Sequence, residues 1–130
     1  RQAAVMDEAL HALLLADTAI AARIGARAFW GEARQGAELP ALVMQIISGA
    51  DRPHLTGTDG LWRYRVQIDC YGLDRPTARL VSRDLISLLH GYTGGGFNAI
   101  FLDSQREDDD SAAPDRPTRF MLDFNIIWRG

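Results

Sequence analysis

The segment LWRYRVQIDCY, residues 61–71, decides the fold, because its side chains alternate in polarity from one residue to the next. Its apolar side chains occupy every second position: Trp62, Tyr64, Val66, Ile68 and Cys70. The positions between them are polar: Arg63, Arg65, Gln67 and Asp69. A period of two places successive side chains on opposite faces of a strand. The segment therefore predicts a strand with one face in the core and one outside it.

The last segment of the chain, Arg119–Arg129, has the same period. One face carries five large apolar side chains: Phe120, Leu122, Phe124, Ile126 and Trp128. The opposite face is mixed: Arg119, Met121, Asp123, Asn125 and Ile127. Shorter segments at Arg27–Trp30, Ala41–Ser48 and Phe97–Ser104 predict further strands from their apolar and β-branched content. The chain thus offers five strands.

Three segments predict helices. Apolar residues recur at helical spacing over residues 3–16. A short helix follows the N-cap Asp17 and ends at Gly25, and a longer helix over Arg75–His90 follows the N-cap Asp74. The element order α-α-β-β-β-α-β-β predicts one α+β domain over residues 1–130. We expect a single mixed or mostly antiparallel sheet with the two main helices packed on one face.

Two connections are long and rich in turn-forming or charged residues. The connection Gly49–Gly60 contains Pro53 and has twelve residues, whereas a hairpin loop usually has about 2–5. The segment Gln105–Thr118 is acidic and includes Asp108-Asp109-Asp110. We expect both connections to be irregular and the acidic one to be mobile.

Composition bounds the class of protein. The chain has 130 residues, 47% apolar and 24% charged, which is an ordinary globular balance. Its net charge of −3 lacks the basic footprint that nucleic-acid binding usually requires. No apolar run approaches about 18 residues, and the first residues lack a signal-peptide pattern, so we expect no membrane segment. All cationic side chains are arginines, which suits interface contacts but also reflects genome composition.

Patterns for catalysis or metal binding are absent from the sequence. His11, His54 and His90 show no zinc-ligand spacing. Cys70 falls on the apolar side of its strand, where a thiol packs as a small hydrophobe. The glycines at 94–96 lack the Lys-Ser/Thr of a phosphate loop, and the aspartates at 108–110 do not complete a calcium-binding pattern. We therefore predict no catalytic residue, no metal site and no cofactor.

Five segments in order resemble the phage tail-completion (tail-terminator) proteins of siphophages, prophages and gene transfer agents. They are ALHALLLADTAIAARIGARAFWGEARQGAELPALVMQIISG (9–49), GLWRYRVQIDCYG (60–72), DRPTARLVSRDLISLL (74–89), IFLDSQRED (100–108) and RFMLDFNIIWRG (119–130). The resemblance spans nearly the whole chain and rests on the order and spacing of these pieces.

The resemblance implies a structural protein that is not an enzyme. It implies a homo-oligomeric ring, expected to be a hexamer, which caps the tail tube and joins it to the head connector. The expected partners are the tail tube protein and the head–tail connector protein, with DNA only as cargo passing through the ring. The expected location is the virion or phage-like particle, in its tail or neck, after assembly in the bacterial cytoplasm.

The predicted interface residues lie on the polar strand face, the two long connections and the first strand. They are Phe29, Trp30, Arg52, His54, Arg63, Arg65, Asp108, Asp109, Asp110, Arg119, Met121 and Ile127. A solvated sheet face and a subunit contact both explain the arginines on that face.

Three alternative functions remain at this stage. The first is another neck or head-closure component. The second is a small-ligand-binding α+β domain. The third is a nucleic-acid-binding module built on the helical row Arg75, Arg79 and Arg83.

Overall fold

A computed structural model of the chain describes residues 5–31, 38–54, 57–108 and 118–129, with the backbone alone for 50–54 and 57–60. Three helices and five strands occupy these ranges. In chain order they are α1 (Met6–Ala16), α2 (Thr18–Ile24), β1 (Ala28–Trp30), β2 (Ala41–His54), β3 (Gly57–Gly72), α3 (Arg75–Leu89), β4 (Phe97–Asp108) and β5 (Thr118–Arg129).

The five strands form one open sheet in the order β1-β2-β3-β5-β4. The short strand β1 pairs with β2 in parallel, and every other pairing is antiparallel. The prediction of an α+β fold with a single mixed sheet is therefore confirmed.

The core lies on one face of this sheet, where the register stacks apolar residues across strands. Met44 pairs with Ile68, which in turn pairs with Leu122, and all three are fully buried. The same cluster holds apolar side chains from every helix: Met6, Leu10, Leu14, Ile20, Ile24, Ala78, Val81, Leu85 and Leu89. Burying each large side chain contributes roughly 1.5–3 kcal/mol. The two main helices thus pack on one face, as the sequence predicts.

Both predicted N-caps are present. The Asp17 carboxylate accepts a hydrogen bond from the Ile20 amide at 3.1 Å, and the Asp74 carboxylate accepts one from the Thr77 amide at 2.9 Å. The hydrogen bonds with Thr77 lower the pKa of Asp74 from its ordinary value. Each cap satisfies an amide that has no partner within its helix, which fixes where the helix begins.

The glycine triplet at 94–96 makes a tight turn rather than a ligand loop. Gly94 and Gly95 have positive φ angles of 148° and 56°. A Cβ at Gly96 would lie 2.5 Å from the Trp128 ring, so only glycine allows that ring to pack there. The triplet is explained by backbone geometry and packing.

The predicted connection Gly49–Gly60 is largely strand, and the first four residues of the connection Gln105–Thr118 are strand as well, so the prediction was wrong for these residues. Strands β2 and β3 continue through most of Gly49–Gly60, and their pairing reaches His54 and Gly57 after two register shifts. Pro53 is tolerated because β1 does not extend along this part of β2, which is therefore an edge. Strand β4 likewise runs on to Asp108.

Candidate assembly surface: the open sheet face and the hairpin arm

The face of the sheet opposite the helices carries the polar side of the alternating strands, and we call it the open face. One row across four strands joins Ser48, Arg65, Asn125 and Phe101. The β2–β3 hairpin continues past the last residue of β5, because Arg129 pairs with Leu61. We call residues 49–60 of this hairpin the hairpin arm.

Near the start of α3, the open face is a closed polar network centred on Arg119. Its guanidinium donates to the Asp108 carboxylate at 2.7 Å and to the Tyr71 hydroxyl at 3.3 Å. It also lies 3.6 Å from a carboxylate oxygen of Asp69 and stacks over the Tyr71 ring. Gln67 donates to Asp69 at 2.9 Å. We call this part of the open face the Arg119 end.

Asp69 is the buried carboxylate of that network, with 7% of its surface exposed. Burial raises its pKa above the ordinary value, although the hydrogen bond from Gln67 and the charge of Arg119 act in the opposite direction. Desolvation of the charged form therefore outweighs the ion pair. Gln67 and Arg119 stabilise the ionised form of Asp69, and without them the buried charge would cost free energy.

The opposite part of the open face, next to the hairpin arm, is a concavity of about 500 Å³. Its lining comes from four strands: Ser48, Arg63, Tyr64, Arg65, Phe101, Asn125, Ile126 and Ile127. Arg65 forms an ion pair with Asp103, whereas the Arg63 guanidinium has no carboxylate partner within the described part of the chain. Phe101 is 50% exposed. We call this part the Arg63 end.

Apolar residues are also exposed at the base of the hairpin arm, and Ile46 and Trp62 among them lie on the helix-covered side of the sheet. Ile46 and Ile47 are 44% and 51% exposed, and Trp62 is 39% exposed. The Trp62 ring stacks on Tyr64 with centroids 6.0 Å apart. Helices α1 to α3 do not cover this part of the sheet. Exposed apolar groups in one place are typical of a contact surface.

The structure separates the predicted interface residues into several places. Arg63, Arg65 and Ile127 meet at the Arg63 end, while Asp108, Arg119 and Met121 lie at the Arg119 end. Phe29 pairs with Val43 at the edge of the open face. The side chains of Arg52 and His54, and both Asp109 and Asp110, lie outside the described residues.

Trp30 stands apart from the other predicted interface residues. It faces the helices, packs partly buried against the core, and donates from Nε1 to the Asp7 carbonyl at 3.2 Å. Its contact with α1 lies on the helix-covered side, and its predicted role at an interface stays a prediction.

Sequence reasoning missed Phe101, Ile46, Ile47 and Asp69 as surface or network residues. Phe101 alternates with Ile100 and Leu102, so its outward direction was readable from the period. Ile46 lies next to a register shift in β2 and Ile47 lies within it, and a bulge of this kind changes which side chain faces out. That shift has no signature in the sequence.

The arginine row of α3 is used inside the molecule. Arg75 makes a bidentate contact with Glu107, at 2.6 and 3.2 Å, and Arg79 donates to Gln105 at 3.3 Å. Both guanidiniums lie over the Phe120 ring, 5.5 and 5.6 Å from its centroid. Two of the three arginines offered for nucleic acid therefore hold β4 and β5 against α3.

The thiol and imidazole groups of the described residues lie apart from one another, and each is buried or hydrogen-bonded to the backbone. Burial raises the pKa of the Cys70 thiol, which is fully buried. His11 Nε2 lies 3.0 Å from the Ala28 carbonyl, and His90 Nδ1 accepts from the Leu102 amide at 3.0 Å. Across residues 5–31, 38–54, 57–108 and 118–129, no three metal-ligating side chains converge.

None of the helices within those ranges has the length and hydropathy needed to span a bilayer.

Comparisons with known proteins agree with this architecture. A family model described as tail completion protein gp17 matches residues 8–129. A chain from the virion of a native gene transfer agent particle has a similar fold, with a TM-score of 0.69 and 16% sequence identity. That alignment covers 93% of this chain and 92% of the other. No curated protein matches the sequence.

Proposed function

The chain belongs to the tail completion protein gp17 family, and on this premise we propose that its copies form a closed ring that ends the tail tube. The protein is a structural component of a phage-like tail, and its place is the tail or neck of the particle. The finer proposal is a ring of six copies that stops tube growth on one side and receives the head connector on the other. DNA passes through as cargo.

The observation that carries this proposal is the family match over residues 8–129. The fold it shares with a chain of a gene transfer agent virion supports the same role, because that likeness extends over nearly the full length of both chains. We propose that this protein serves in a tail of that kind.

The open face and the hairpin arm suit assembly into a ring. Identical copies close into a ring when each presents two different surfaces that fit each other. The Arg63 end and the Arg119 end of the open face differ in charge and apolar content, and the hairpin arm extends past β5. Each contact between copies should bury at least about 1,000 Å² in total.

We propose that the protein acts through shape and contact, without catalysis. Arg119 is engaged with Asp108 and Tyr71, and Arg65 is paired with Asp103, whereas Arg63 is exposed on the open face. Among the residues that the structure describes, Arg63 in the 500 Å³ concavity has no carboxylate partner and lies beside apolar side chains such as Phe101 and Ile127, which is not the paired acid and base of a catalytic site.

The test combines a mass measurement with electron microscopy. The purified chain is examined by native mass spectrometry at increasing concentration, then mixed with tubes assembled from the tail tube protein of the same particle. We expect a discrete ring, density at one tube end only, and arrested tube growth. The variant Arg83→Glu, on the exposed side of α3, serves as a matched control that should assemble normally.

Two results would overturn the proposal. One is a monomeric mass under both conditions with bare tube ends. The other is a ring that binds the head connector and leaves tube ends free, which would assign the protein to head closure instead.

A further inference from the structure

We infer that the concavity at the Arg63 end is the docking site for the acidic segment 109–115 of a second copy of this chain. The inference rests on the proposed ring and names two of the surfaces that would meet in it. It follows from the lining of the concavity, from the position of the acidic segment, and from the distance between them.

The concavity combines one available cation with apolar walls. Arg65 is already paired with Asp103, so its charge is largely satisfied, whereas Arg63 is exposed and has no carboxylate partner within the described residues. Phe101 and Ile127 flank it. An arginine beside exposed apolar groups fits a carboxylate next to small apolar side chains, since guanidinium and carboxylate form charge-assisted hydrogen bonds.

One segment of the chain has that composition. Residues 107–115 read EDDDSAAPD, with Ala112 and Ala113 following the aspartates. Glu107 and Asp108 are already engaged by Arg75 and Arg119. The further carboxylates of this segment belong to Asp109, Asp110 and Asp115, which lie outside the described residues.

The acidic segment does not reach the concavity of its own subunit. Asp108 pairs with Arg119, and Arg63 pairs with Ile127, so eight residues of β5 separate the two sites. At a rise of about 3.3 Å per residue the separation is about 26 Å. The Cα of Asp110 lies at most about 7.6 Å from that of Asp108. The carboxylates must therefore come from another copy.

The two surfaces differ in the way that a ring requires. The Arg119 end has three carboxylates, Asp69, Asp108 and Asp123, against the two guanidiniums of Arg106 and Arg119. The Arg63 end has two guanidiniums against the single carboxylate of Asp103. Docking the acidic end of one copy on the basic end of the next is a heterologous contact, and repetition of it closes a ring.

Charge reversal provides the main test. Arg63→Glu and the pair Asp109→Arg/Asp110→Arg are each expected to weaken self-association at least about tenfold, and their combination in one chain should restore it. Arg83→Glu makes the same change of charge on α3 and should have no effect. Thermal unfolding of each variant at dilute concentration checks that the monomer still folds.

A peptide measurement tests the site without the ring. A fluorescent peptide of residues 105–117 is titrated with dilute full-length chain, and anisotropy reports binding. We expect binding that weakens with salt and falls at least about tenfold for Arg63→Glu, because exposed charge pairs are screened. A peptide with Asp109→Asn and Asp110→Asn should bind no better than background.

The outcomes separate this inference from the proposed function. A wild-type ring that survives both single reversals unchanged overturns the inference and leaves the ring. A chain that stays monomeric overturns the ring, and Arg63-dependent peptide binding then supports the site by itself, whereas its absence overturns it. Binding of tail tube protein, but not of the peptide, at Arg63 would also overturn the inference.

Discussion

The Arg119 end and the Arg63 end of the open face use the same residue type for different purposes. Arg119 lies among Asp108, Asp69 and Tyr71, each within 3.6 Å of its guanidinium. Arg63 lies on the adjacent strand with the same outward direction and has no such partner among the described residues. The role of an arginine on a strand face, structural or in a contact, therefore cannot be assigned until its neighbours are known.

Two phenylalanines repeat this contrast, one on the helix-covered side of the sheet and one on the open face. Phe120 is 4% exposed and lies under Arg75 and Arg79, whereas Phe101 is half exposed at the Arg63 end. At one end of the sheet, charges and rings stabilise the subunit. At the other end Arg63 and Phe101 are exposed, and we expect them to contact a neighbouring copy.

The largest expected effect comes from removing the two rings. Phe120→Ala should lower the free energy of unfolding by about 3–4 kcal/mol, because it leaves a cavity under two guanidiniums. Phe101→Ala should lower it by less than about 1 kcal/mol. Chemical denaturation of both variants measures the difference. Equal losses would mean that both ends of the sheet are structural.

The next effect separates the two arginines. Arg119→Ala should cost about 2 kcal/mol of stability, since it leaves the buried Asp69 without its nearby cation. Arg63→Ala should change stability by less than about 0.5 kcal/mol. Arg119→Lys, which keeps the charge but loses the planar fork, should fall between them. Urea denaturation with matched m-values provides the measurement.

A smaller effect concerns assembly. Ile47→Lys places a charge among the exposed apolar groups at the base of the hairpin arm, where burial against a neighbour would no longer be favourable. We expect self-association about tenfold weaker, with an unchanged unfolding midpoint for the monomer. Sedimentation velocity over a concentration series measures the first quantity. Unaltered association would remove the base of the hairpin arm from the interface.

The smallest effect is the pH dependence from Asp69. Burial raises its folded pKa above its ordinary value of 3.8, so at pH values between the two the folded state holds a proton that the unfolded state has released. The corresponding stability is fully present below 3.8 and is lost as pH rises through the folded pKa. Asp69→Asn should remove this decline and flatten the profile above about pH 4. A decline of the same size in the variant would assign it to other groups.

Much of the fold was readable because its strands alternate strictly. The period of two in Leu61–Tyr71 and in β5 assigned each side chain to a face, and the structure confirms those faces. The N-caps Asp17 and Asp74 fixed the helix starts through local hydrogen bonds. Strand alternation and helix capping involve residues that are close together in the chain, so both can be predicted from the sequence alone.

The two misread connections show where local signals end. Glycine and proline in residues 49–60 favour a loop, yet β2 and β3 stay hydrogen-bonded to each other through most of these residues. Residues 106–108 are charged, but Glu107 and Asp108 pair with Arg75 and Arg119 on other elements. The energy that makes these segments strands comes from residues distant in the sequence.

The sequence by itself determined the α+β class, the direction of each side chain in the alternating strands, and the resemblance to tail-completion proteins. Only the tertiary structure decided which arginines are engaged inside the subunit and which are exposed at the Arg63 end. The reason is physical: alternation depends on the period of one strand, whereas the partner of a charge depends on which strands and helices pack beside it.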